Sequence, residues 1–357
     1  MLLRTFAIVL VLVVIQSASQ AVEIAAGRTF FSIKAPKAND ARLKGQWTKD
    51  DIPLVRREDG TWSVELDNVP DGIWEYSFLI DGLNVLDPHN PGIKPQRQPS
   101  KSILHIPSVP PAAWDWQNIP HGTLHVHDYQ SKAVDRQREL LVYTPPGYEN
   151  SSEKLPLLVL QHGSGDNQRA WTEHGKAHWI LDHLIATGKA RPMLVVMLDG
   201  HPLGSVQRED KSRRDESLNA FRRELLEDAI PLVERNYRVL PAPNHRAIVG
   251  LSMGGWQSLT VGLNALDQFA WIGSFSGAAD SEAVRNALDN NANTNAKLKL
   301  LWIACGRDDF LQERNKALIA ELKAADVRHE WYLTEGAHSW PVWRNYLVDF
   351  IPRLFQP

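Results

Sequence analysis

Two folds in series are what this 357-residue chain predicts: a small all-β, immunoglobulin-like sandwich, then a larger α/β domain whose mostly parallel sheet is covered by helices. Three observations carry that reading. Short β-rich runs separated by Asp-Gly turns come first, and largely apolar runs alternating with helical stretches fill the rest. The length also exceeds that of one average domain.

The β-rich runs are Thr29–Ile33, Thr61–Leu66 and Trp74–Ile80, punctuated by Asp59-Gly60, Asp71-Gly72 and Asp81-Gly82. Such runs between tight turns read as a sandwich over residues 22–106. The proline-bearing stretch Ile106–Trp114 reads as the start of a linker, 107–120. The pattern then changes, over 121–357. Leu155–Gln161, Met193–Leu198, Ala247–Val249 and Leu298–Ala304 are buried-strand runs, and Ala177–Thr187, Leu218–Arg235 and Asn315–Ala325 are helical. Apolar strands alternating with helices require a sheet covered on both faces.

Composition narrows the function classes. With 43% hydrophobic and 23% charged residues the chain can bury a core, which disfavours disorder. A formal charge of −3 without a Lys/Arg run gives no electrostatic ground for a nucleic-acid partner or a membrane-surface helix. Arg4, the apolar run Phe6–Ile15 and the small residues Ser17-Ala18-Ser19-Gln20-Ala21 predict a signal peptide over 1–21. A secreted or periplasmic bacterial protein follows, with no membrane partner after cleavage. Cys305 is the single cysteine, so no intrachain disulfide is possible; its apolar neighbours Leu300–Ala304 make it a buried, inert thiol. Thirteen tryptophans are many, and such rings stack on sugar faces, although each one alone reads as core.

The chemistry centres on Gly250-Leu251-Ser252-Met253-Gly254, which follows the β-rich run Arg246–Val249 and precedes a helix-compatible stretch. Strand, Gly-x-Ser-x-Gly and helix together define a nucleophile elbow, in which a sharp turn exposes the serine at the C-terminal edge of a sheet. A serine hydroxyl needs a base oriented by an acid, in the chain order Ser, Asp or Glu, His for this α/β-hydrolase arrangement. Downstream lie only His329 and His338. His338 sits in a turn-like stretch after the strand Glu330–Leu333, whereas His329 begins that strand. The acid falls at Cys305-Gly306-Arg307-Asp308-Asp309, where spacing leaves Asp308 and Asp309 as alternatives. The run Pro156–Gln161 ends in His162-Gly163-Ser164-Gly165, an oxyanion-loop pattern whose donor, from Gly163 or Ser164, would pair with the Met253 N–H. The predicted chemistry is two-step acyl transfer that calls for no cofactor and no metal.

These blocks resemble the esterase-D-like carbohydrate esterases, the family that includes feruloyl and acetylxylan esterases (carbohydrate esterase family one). The likeness covers roughly residues 120–355 and adds Val142-Tyr143-Thr144-Pro145-Pro146-Gly147-Tyr148 and Gly336-Ala337-His338-Ser339-Trp340 to the blocks above. It implies Asp309 as the acid and feruloylated or acetylated xylan as substrate. Gly45-Gln46-Trp47, Asp59-Gly60-Thr61-Trp62 and Tyr76–Gly82 are similar to the glycogen-binding-type early-set sandwich, a carbohydrate-binding-module-like domain often fused to these esterases. The layout also resembles enterochelin esterases, which open cyclic catecholate siderophores.

Further residues are candidates for the substrate cleft. Trp171, Trp256 and Trp340 are placed to flank an aromatic acyl group, against core packing. Asp199, in Asp199-Gly200-His201, follows a strand at the rim where ligands bind. His125 and His127 share a strand face, but no further ligand cluster accompanies them. The charged run Arg208–Glu216 reads as a surface loop or lid, and Trp47, Trp62 and Trp74 read as sandwich core. The rival from another class, a sugar-binding module with an inert hydrolase domain, has no use for an intact Ser, Asp, His set.

Overall fold

The computed structural model describes residues 22–25, 27–206 and 210–356, so the expected signal peptide lies outside the described residues. The first nine strands are β1 (Val22–Ala25), β2 (Arg28–Lys34), β3 (Ala41–Gly45), β4 (Ile52–Pro53), β5 (Val55–Arg56), β6 (Thr61–Asp67), β7 (Gly72–Ile80), β8 (Leu83–Val85) and β9 (Ser102–Ile106). They form one sheet ordered β1-β2-β6-β5 and another ordered β4-β3-β7-β8, with β9 also paired to β7. Buried and exposed side chains alternate strictly along β3, as a strand with one face on a core requires. Phe31, Leu43, Trp62, Tyr76 and Phe78 fill the space between the sheets. Trp62 donates from Nε1 to the Ala35 carbonyl at 2.9 Å, Trp47 stacks on Phe31, and Trp74 packs on the same cluster.

Eight further strands make one sheet: β10 (Thr123–Ser131), β11 (Arg136–Thr144), β12 (Leu157–Gln161), β13 (Leu194–Leu198), β14 (Arg246–Leu251), β15 (Trp271–Phe275), β16 (Leu300–Gly306) and β17 (Glu330–Thr334). Their order is β10-β11-β13-β12-β14-β15-β16-β17; β10, β11 and β13 pair antiparallel and the rest parallel. Leu157, Val159 and Ile248 enter the apolar cluster on one face, and Leu158, Leu160, Ala247 and Val249 enter that on the other. Successive side chains point to opposite faces, both covered, so the strand sequences are continuously apolar instead of alternating.

Two expectations are corrected. The helix expected over Leu218–Arg235 starts at Lys211 and continues, through a π-type turn at Glu224–Ala229, to Asn236. The charged run expected as a loop is therefore helix from Lys211 onward, while Arg208 and Glu209 lie outside the described residues. Asp210 caps that helix by accepting from the Arg213 N–H at 2.9 Å. Its first turns carry too few apolar residues to show a helical period. The stretch read as a linker contains no helix or strand, and a side chain holds it: buried Asp115 accepts from the N–H groups of Ser108 and Ala112 and from His105. The prolines mark the connection; the carboxylate that gathers its N–H groups does not show in composition.

Candidate active site

Four strands end at one edge of the large sheet, and each delivers part of a constellation there. β14 stops at Leu251, and Ser252 turns the chain into the helix Met253–Asn264 with φ 51° and ψ −115°. That conformation is strained for a side-chain-bearing residue, and tertiary packing holds it. The Ser252 N–H donates to the Phe275 carbonyl at 2.8 Å. The flanking glycines are sterically required. A Cβ on Gly250 would lie 2.5 Å from the Gly254 carbonyl carbon, and one on Gly254 would lie 2.5 Å from the His162 oxygen.

β17 ends before Gly336, and the following turn brings His338 Nε2 to 2.8 Å from Ser252 Oγ. β16 ends at Gly306, and Asp309 sits with its two carboxylate oxygens 3.0 and 2.9 Å from His338 Nδ1. Asp309 is buried, whereas Asp308 is exposed and, among the described residues, engages through its N–H, to the Gly336 carbonyl. Burial pushes the Asp309 carboxyl up, but hydrogen bonds from His338 and the Leu311 N–H outweigh it and leave the group below its usual value. An ionised, acceptor-only carboxylate on Nδ1 puts the donor hydrogen there, so Nε2 is free to take the proton from Ser252.

β12 supplies the loop His162–Gly165. His162 Nε2 accepts from the Gly200 N–H at 2.8 Å, so its Nδ1 bears hydrogen and donates to the Gly163 carbonyl at 2.8 Å. In a planar trans peptide the next N–H, that of Ser164, points opposite to that carbonyl. Ser164 and Ser252 together line two cavities. Met253 stands at the first turn of its helix, where backbone N–H groups have no intrahelical partner.

One cavity, of about 350 Å³, is lined by Met253, Trp256, Phe310, Leu311, Val206 and His201 among others. The second, of about 300 Å³, contains His338, Gly163, Asp166, Trp340 and Trp343, together with Gln46, Glu75 and Lys94 from the sandwich. The sandwich also grips the loop His162–Gly165 and the residues after it. The Arg97 N–H donates to the Gly165 carbonyl at 2.8 Å, and the Asn167 N–H donates to the Pro95 carbonyl at 3.2 Å.

Of the tryptophans expected in the cleft, Trp256 lines the first cavity. Trp171 does not reach either one; it is 1% exposed, donates from Nε1 to the Gln161 carbonyl at 2.8 Å and packs edge-on against Phe275 and Trp340. Trp340 contributes to the wall of the second cavity but is itself buried against Trp171 and Trp343. Asp199, expected to line the cleft, is occupied instead with Arg97, Arg138 and the His201 N–H. His125 and His127 hydrogen-bond to Thr144 and Tyr237. Cys305 is fully buried, and burial pushes its thiol up to about 12. Sequence reasoning missed Phe310 and Trp343, whose rings lie 4.4 and 4.9 Å from that of His338. Trp343 stands five residues beyond the histidine, on the helix Trp340–Phe350; Phe310 follows Asp309 directly.

The Esterase family model matches residues 131–354, well over half of the chain. The chain belongs to the esterase family. Among relatives of this esterase, the endo-1,4-beta-xylanase/feruloyl esterase of Xylanibacter ruminicola is 28% identical over 92% of this chain, and the match spans 45% of that longer protein. In fold, the esterase is similar to a CE1 ferulic acid esterase from Anaeromyces mucronatus solved with ferulic acid, at TM-score 0.59 and 22% identity, over 68% of this chain and 93% of that one. It is also similar to the enterochelin esterase of Shigella flexneri, at TM-score 0.67 and 17% identity, over 94% and 95%. The α/β-hydrolase-type fold of these neighbours is that of the large sheet described above.

Proposed function

We propose that this esterase is an exported serine hydrolase that releases ferulate from arabinoxylan, with Ser252, His338 and Asp309 as its catalytic triad. His338 takes the Ser252 proton as Oγ attacks the ester carbonyl. The N–H groups of Met253 and Ser164 hold the oxyanion; removal of one such donor typically costs ~3 kcal/mol in the transition state. His338 then protonates the departing alcohol, and a water activated by the same imidazole clears the acyl-enzyme. The observation that carries the reaction is the 2.8 Å contact between Ser252 Oγ and His338 Nε2. The aromatic walls of the first cavity, Trp256 and Phe310, favour an aromatic acyl group over acetate. The Xylanibacter relative carries the same activity in its name.

Hydrolysis of a siderophore ester is a second reading, favoured by the likeness to enterochelin esterase across both the sandwich and the hydrolase parts. Wild type and Ser252→Ala are to be assayed on methyl ferulate, p-nitrophenyl acetate and enterobactin. Fast methyl ferulate turnover that vanishes in the variant is the expected result. Undiminished turnover by Ser252→Ala would overturn the nucleophile, and preference for enterobactin would replace the substrate.

A further inference from the structure

Two cavities meet at Ser252, and of the two only the second contains His338. The base that deprotonates a serine later returns its proton to the leaving oxygen, so the alcohol departs on the imidazole side. The acyl group is thereby assigned to the cavity of Trp256 and Phe310, and the alcohol to the cavity walled by Gln46, Glu75 and Lys94. These three residues come from β7 and from loops of the sandwich, not from the hydrolase sheet. We propose that the sandwich builds the leaving-group subsite of this enzyme, and that its occupant is a neutral polyhydroxy alcohol, a sugar ring. The proposal rests on the ester-hydrolase reading above.

The chemistry of the walls selects that class of alcohol. Lys94 Nζ lies 2.8 Å from Glu75 Oε1 and 3.8 Å from Asp166 Oδ1, with the lysine side chain only 12% exposed. A cation already matched by two carboxylates has no surplus charge with which to select an anionic alcohol. The same groups do alternate in hydrogen-bonding sense: ammonium donates, carboxylate accepts and carboxamide does both. Hydroxyls on a sugar ring satisfy that alternation, whereas an apolar alcohol would desolvate it without replacement. Gln46 Oε1 accepts from the Glu75 N–H at 3.1 Å, which anchors the amide at the cavity wall. The two halves of a feruloyl sugar are thus read by different domains, the aromatic half by the hydrolase and the sugar half across the domain seam.

The test compares two esters of one acid, feruloyl arabinose and methyl ferulate, and reads the ratio of their kcat/KM values. Wild type favours the sugar ester. Lys94→Ala lowers that ratio about tenfold, since hydrogen bonds to a charged group are lost only with the sugar. Gln46→Ala, at an exposed position that leaves the core intact, lowers it several-fold, and Lys94→Arg recovers part of the loss. An unchanged ratio in Lys94→Ala and Gln46→Ala, or equal losses on both esters, overturns the subsite and leaves the esterase standing. If wild type cleaves only acetyl esters, the acyl assignment falls alone, and the same ratio is read on acetyl xylose against methyl acetate. Wild type inactive on every ester overturns the function and the subsite together.

Discussion

Arg97, on the sandwich side of the domain seam, donates to Asp199 at the end of β13 across 2.7 Å. The same carboxylate oxygen lies 3.4 Å from Arg138 Nη1, and Arg138 in turn holds Glu224 with Nε and Nη2 at 2.7 and 3.1 Å. Charges therefore alternate from the seam into the hydrolase: Arg97, Asp199, Arg138, Glu224. Burial pushes Asp199 up, but the Arg138 and Arg97 guanidinium groups beside it more than offset this, and it is held well below the usual carboxylate range. The carboxylate also accepts from the His201 N–H, and so steadies the Asp199–His201 turn beside the oxyanion loop.

Position in that alternation sets the cost of breaking it. Glu224 is wholly buried and, apart from Arg138, accepts only the Tyr129 hydroxyl at 2.6 Å among its described side-chain bonds. Arg138→Ala strands its charge, and a loss of about 3–5 kcal/mol in unfolding free energy is expected. Arg97 is about a third exposed, and Asp199 keeps Arg138 when it is removed. Arg97→Ala should cost less than about 1 kcal/mol. Urea denaturation of the two variants measures the difference, and equal losses would contradict the assignment.

Asp166, at the seam, carries a pH signature. Burial pushes its carboxyl up to about 6 against the pull of Lys94, with Glu75 adding to the rise. An acid whose folded value is raised binds its proton more tightly in the folded state. Stability therefore falls as pH rises through the window from 3.8 to about 6, and the slope ends above it. The full effect is up to about 3 kcal/mol. Asp166→Asn removes this component, so the stability difference between variant and wild type should grow in the variant's favour from pH 4 to pH 7. Denaturation curves with parallel pH dependence in both proteins would contradict the shift.

The hydrolase half was legible because its signals are local. Ser252 is fixed by a five-residue steric pattern, and the parallel strands by unbroken apolar runs between helices. The seam was not legible. Gln46, Glu75, Lys94 and Arg97 belong to a segment read only as a sandwich, and their meeting with Gly165 and Asp166 depends on how two domains pack. Trp171 misled for a related reason: it follows the oxyanion loop in sequence, yet its indole turns inward to the Gln161 carbonyl. Nearness along the chain to a catalytic residue does not say which way a side chain faces.

The role proposed for Asp309 as triad acid is testable without disturbing packing. Asp309→Asn keeps the shape but removes the charge that makes Nδ1 of His338 the donor. The imidazole then loses its working tautomer and the support of its cationic form. A fall in kcat of about 10³–10⁴ is expected, with KM little changed. Asp308→Asn, at an exposed neighbour, should leave kcat within a factor of about two, because its side chain is exposed. Stability supplies an independent reading. Asp309 is depressed in the folded state, so its contribution is present above the ordinary aspartate value and is lost as pH falls through the folded one. Denaturation of Asp309→Asn should therefore show its largest deficit at neutral pH and a shrinking one toward pH 3.

Acyl selectivity should reside in two rings that line the first cavity together with the nucleophile. Trp256 stands one turn along the helix that starts at Met253, so its indole is carried by a rigid element. Phe310 is 63% exposed and lies over His338 with ring centroids 4.4 Å apart, which places it at the cavity mouth. A planar cinnamoyl-type group in that cavity would bury apolar surface and gain ring contacts that an acetyl group is too small to share. Trp256→Ala should lower the kcat/KM ratio of methyl ferulate to p-nitrophenyl acetate by about tenfold. Phe310→Leu, which keeps apolar bulk over the imidazole, should lower it by less, about threefold. A ratio that stays constant in both variants would move the acyl group out of this cavity, and with it the preference for an aromatic acid.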